Sequence, residues 1–101
     1  MTAPTPPSIQ TLIDTYAKDV AFAADEEPAT TASEFIDQLT TAAINLDHAG
    51  INGTENLDNA AVYLTDALNS TDRDEVKILL TRASRYLQST TDLVDEYRLM
   101  L

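Results

Sequence analysis

Cysteine is absent from the 101 residues. Disulfides, thiolate metal sites and cysteine nucleophiles are therefore excluded together. Glycine occurs only at positions 50 and 53, so neither a glycine-rich phosphate loop nor a Gly-x-Ser-x-Gly nucleophile elbow can be built. Of the four prolines, three fall within the first seven residues, and the rest of the chain is almost free of backbone breakers. That pattern favours helix. No apolar run approaches the ~18 residues needed to span a bilayer, and no apolar segment follows a basic start. The chain is accordingly read as cytoplasmic, with no membrane partner, and the sequons at Asn52 and Asn69 as chance matches. His48 is the sole histidine. With neither HExxH nor Glu-x-x-His spacing present, no metal, no cofactor and no catalytic residue is expected.

Positive charge is the other scarcity. Six basic residues face seventeen acidic ones, a net of −11. Residues 1–60 hold ten acids and only Lys18, a net of −9, whereas residues 61–101 carry −2. A chain so short of cations has no footprint with which to displace counterions from phosphates, which excludes direct nucleic-acid binding. The acidity itself reads either as solubility in a salty cytoplasm or as a surface aimed at a basic partner.

What is present is helical periodicity. Residues 1–7 form an extended, proline-rich leader, and 8–101 a single domain. Ser8 is placed to cap a helix over 9–24 whose stripe is Ile9, Leu12, Ile13, Tyr16 and Val20. Thr31 and Glu34 have capping-box spacing before a helix over 32–49 with Phe35, Ile36, Leu39, Ala42, Ala43 and Leu46. Gly50 and Ile51 then suit a Schellman ending. Thr54 can cap a third helix over 55–68 with Leu57, Ala61, Leu64 and Leu68. Val76, Leu79, Leu80, Ala83, Leu87, Leu93, Val94 and Met100 hold helical phase through a fourth, over 72–99. The acids at 72, 74 and 75 suit its positive end. They do not make a calcium loop, because the sixth position lacks glycine and the twelfth is Ala83. The expected fold is all-α: an antiparallel four-helix bundle with a long C-terminal helix.

At ~1.5 Å per residue that last helix would reach ~40 Å and outrun its neighbours. Its apolar end then needs cover from a second copy or another protein, or a bend near Ser89-Thr90-Thr91 that packs it on its own bundle. Arg82, Arg85 and Tyr86 form the one basic-aromatic cluster, suited either to pairing with acids of adjacent helices or to anchoring an interface. Val62 and Tyr63 add a minor apolar face on the third helix. The expected interface is Arg82, Arg85, Tyr86, Leu93, Val94, Tyr97, Met100 and Leu101. The expected function is a non-enzymatic interaction module or small regulator, working through the C-terminal helix and possibly as a homodimer. The alternative is an acidic decoy that imitates nucleic acid and binds a basic protein.

Overall fold

Helix starts here are set by side chains that accept the orphan amides of a first turn. The computed structural model describes residues 8–101, and the expected leader over 1–7 lies outside the described residues. Helix α1 (Ile9–Ala24) begins behind Ser8, whose Oγ accepts from the Thr11 amide at 3.1 Å. Helix α2 (Ala32–His48) begins behind Thr31, whose Oγ1 accepts from the Glu34 amide at 3.2 Å. Glu34 reaches back to the Thr30 amide, at 3.4 Å, one residue before the cap itself. Helix α3 (Glu55–Asn69) follows Thr54, which makes no side-chain cap bond and is buried instead. Helix α4 (Arg73–Leu87) is capped by Asp72, whose carboxylate accepts from the amides of Asp74 at 2.9 Å and Glu75 at 3.4 Å. Helix α5 (Thr90–Leu99) completes the chain, and no strand forms among the described residues.

Two helices stop by the same device. At the end of α2 the Ile51 amide donates to the Leu46 carbonyl at 3.1 Å and the Gly50 amide to Asp47 at 2.9 Å. Gly50 supplies the left-handed residue that this Schellman geometry requires, with φ 82°. At the end of α1, Glu26 donates to Ala21 at 3.0 Å and Asp25 to Phe22 at 3.2 Å. There the left-handed position, φ 59°, is taken by Asp25 rather than glycine. Its Cβ is crowded in that conformation, and its carboxylate meets the negative end of the helix.

The long helix expected over 72–99 is divided. Between α4 and α5, the Ser89 hydroxyl donates to the Tyr86 carbonyl at 3.2 Å and accepts from the Asn56 side-chain amide at 3.1 Å. A serine hydroxyl bonded back to its own helix bends the backbone, and Asn56 fixes that bend to the start of α3. The bundle therefore has five helices, and α5 packs on α1. Leu93 and Val94, expected at an interface, are buried inside this chain's own core.

The core is continuous through all five helices. α1 packs between α2 and α5, and α3 between α2 and α4. Val20, Phe35, Leu39, Leu46, Leu57, Leu64, Leu87 and Val94 are fully enclosed. No helix among the described residues is long and apolar enough to cross a membrane.

Asp25→Gly should stabilise the fold by about 1 kcal/mol, because it relieves the left-handed Cβ and removes a carboxylate from a helix C-terminus. Urea denaturation with an unchanged slope reads this directly, and an unchanged or lowered midpoint would contradict it. Leu93→Ala should cost about 2–4 kcal/mol in the monomer, the usual toll of a buried leucine. Unaltered stability would mean that α5 contributes nothing to the core.

Candidate functional site

Four of the chain's six basic residues lie on one helix: Arg73, Lys77, Arg82 and Arg85 on α4. At 100° per residue, Val76, Leu79, Leu80, Ala83 and Leu87 form one stripe, and these turn inward. The opposite side carries Lys77, Ile78, Thr81, Arg82 and Arg85, which together line a shallow recess of about 380 Å³. Ile78, its one large apolar lining residue, is 53% exposed. The Arg82 guanidinium stands 5.8 Å from the Tyr63 ring centroid, and that ring stacks on Tyr86 at 5.6 Å and 13°. One cation of the face is thus held over an aromatic pair at the α3–α4 seam.

These cations have no acidic partner. Among the described residues the only ion pairs within 4.0 Å belong to Arg98, with Asp19 at 3.3 Å and Asp95 at 3.0 Å. Pairing of Arg82 and Arg85 with acids of neighbouring helices, one of the two expectations for them, does not occur. Sixteen of the seventeen carboxylates are nevertheless exposed, and only Asp19 is half-buried.

A second depression lies between α2 and α3. Ile36, Ala61 and Val62 form its apolar part, Thr40 and Thr65 its sides, and Asp58 and Asp66 bring negative charge to it. Its volume is about 330 Å³, and Val62 is 57% exposed. Val62 and Tyr63 therefore serve different neighbours: Tyr63 turns to α4, while Val62 faces outward beside the groove.

The C-terminal residues expected at an interface separate into three groups. Leu93 and Val94 are interior. Tyr97 is half-buried and meets Phe22 edge-on, with centroids 6.1 Å apart, while Arg98 lies 4.7 Å from the same Phe22 ring. Asp19 of α1 accepts hydrogen bonds from both Thr91 and Arg98 of α5. These contacts fasten α5 to α1, although screening holds an exposed pair such as Arg98–Asp19 to about 0–1 kcal/mol. Only Leu99, Met100 and Leu101 remain outside as large exposed residues.

His48 lies exposed in the last turn of α2, and no group of three potential ligands capable of holding a metal occurs among the described residues. Among the described residues two buried polar atoms lack partners, the Gln38 carbonyl oxygen and the Thr90 hydroxyl. The Gln38 amide nitrogen donates to the Glu27 carbonyl, and Thr90 is enclosed at the α5 start. Compared with known proteins, the chain matches no family model, no curated protein and no solved structure. Ile78 was the residue that sequence reasoning passed over. Its signal was its phase, because it falls with Lys77, Arg82 and Arg85 and not with the α4 core stripe.

Proposed function

We propose that this chain is a non-enzymatic helical interaction module, a small cytoplasmic regulator or adaptor whose working surface is the outward face of α4. The observation that carries this reading is an exposed isoleucine ringed by Lys77, Arg82 and Arg85 in a chain of net charge −11. Cations gathered on one helix, with seventeen acids in the chain and none paired to them, are free for an external partner. An apolar side chain to exclude water, arginines to make directed hydrogen bonds and an aromatic pair beneath is the chemistry of an interface centre. Of the residues expected at the interface, Arg82, Arg85 and Tyr86 stay with this surface. Met100 and Leu101 form a separate exposed end, and Leu93, Val94 and Tyr97 serve the α1–α5 seam. The short connections favour antiparallel neighbours, which leaves α4 on the outside of the α3–α4 pair.

A second reading, the acidic decoy for a basic nucleic-acid-binding protein, draws on the exposure of sixteen carboxylates. It uses the rest of the surface and leaves the α4 cations without a role.

The two readings separate in one experiment. Intact protein and an Ile78→Glu, Arg85→Glu variant are immobilised and exposed to source-cell lysate, then washed at low and high salt. An α4 interface predicts a stoichiometric partner, which can be the protein itself, held by the wild type and lost from the variant. A basic protein retained equally by both baits and released by salt would favour the decoy. Recovery of identical proteins on both baits at high salt would contradict the α4 surface.

A further inference from the structure

The two outward features of this molecule match each other in chemistry, and they do so across copies. The α4 face presents Ile78 among Lys77, Arg82 and Arg85, whereas the α2–α3 groove presents Ile36, Ala61 and Val62 beside Asp58 and Asp66. Both are shallow apolar recesses, one flanked by cations and the other by carboxylates, so the match between them is one of charge. Both sit on regular, well-packed helices, so neither has to reorganise before contact.

We infer that the occupant of the α2–α3 groove is the outward face of α4 from a second copy of this chain, with Ile78 against Val62 and Arg82 and Arg85 facing Asp58 and Asp66. This rests on the reading of α4 as the working surface and names its partner. The two surfaces lie on different helices of one chain, so each copy offers both halves. The contact either closes reciprocally into an isologous dimer or continues heterologously from copy to copy.

Charge gives the contact a distinctive salt dependence. Two bodies of net charge −11 repel at long range, and at ~0.01 M salt that repulsion extends ~30 Å. At ~0.15 M the range falls to ~8 Å, while facing pairs in a closed contact are screened much less. Association should therefore strengthen between those two conditions and weaken again near 1 M. A basic partner in the same groove would instead bind ever more weakly as salt rises. One helix face against one groove also falls in the small class of interfaces, below ~1,200 Å² in total. The expected dissociation constant is on the order of 100 μM.

Sedimentation equilibrium of the full chain at low, physiological and high salt tests this. Two variants divide the contact: Ile78→Glu with Arg85→Glu removes the face, and Val62→Lys with Asp66→Lys removes the groove. All four positions are exposed, and circular dichroism checks that the helices persist. Each variant alone should associate at least ~10-fold more weakly than wild type, a change of ~1.4 kcal/mol. Mixed in equal amounts, they should form a 1:1 heterodimer through one intact contact, more tightly than either variant alone associates, because one keeps the groove and the other the face. A wild-type chain monomeric at every salt, or a mixture that fails to restore association, would overturn the inference. If the wild type stays monomeric yet captures another protein through α4 in the lysate experiment, the partner is wrong and the α4 surface stands. If neither association occurs, both readings fall.

Discussion

The packing of α5 on α1, just past the junction where the Ser89 hydroxyl accepts from Asn56 and donates to the Tyr86 carbonyl, closes the core. As one straight rod, residues 72–99 would reach ~40 Å. Through the α1–α5 packing Leu93 and Val94 lie in the core, Asp19 gains Thr91 and Arg98 as donors, and Phe22, still exposed, is met by Tyr97 and Arg98. A chain of about 100 residues buries only ~60–70% of its unfolded surface and has little apolar area to spare. Turning two large side chains inward matters more to it than helix continuity.

The same economy accounts for the distribution of charge. Carboxylates outnumber cations by seventeen to six, and all but Asp19 are exposed, so each helix can display acids without burying an uncompensated charge. α1 and α5 use Arg98 and Asp19 to secure their seam. α4, packed chiefly on α3, keeps its cations outward and unpaired. The molecule is thus polar in a specific sense, with one basic, apolar-centred face on an otherwise acidic body.

Much of this was legible in the residues. Ser8, Thr31 and Gly50 act as their chemistry predicts, because caps and left-handed stops depend on one side chain and its immediate backbone. Thr54 does not cap, because its backbone is helical (φ −65°, ψ −22°) and not in the extended conformation from which a hydroxyl reaches the first-turn amides. The division of the last helix was harder to see. Leu87, Leu93 and Val94 stay in helical phase across it, and Gln88 and Ser89 keep near-helical backbone angles. Ser89-Thr90-Thr91 marked the place as one of two alternatives, whereas the Asn56 hydrogen bond to Ser89 comes from 33 residues away and has no local signal. The α4 face was half legible: Arg82 and Arg85 stood out by charge, whereas the stacking of Tyr63 on Tyr86 and the outward aim of Ile78 required the packing of α3 on α4.

The central claim is that α4 of one copy meets the α2–α3 groove of another. Amide chemical shifts followed through a dilution series, from about 1 mM to well below the expected ~100 μM dissociation constant, test it most directly. The account predicts concentration-dependent shifts concentrated on α4 around Ile78 and on α2 and α3 around Ile36 and Val62, with the α1–α5 seam unchanged. Shifts confined to Leu99–Leu101, or a spectrum indifferent to concentration, would contradict it.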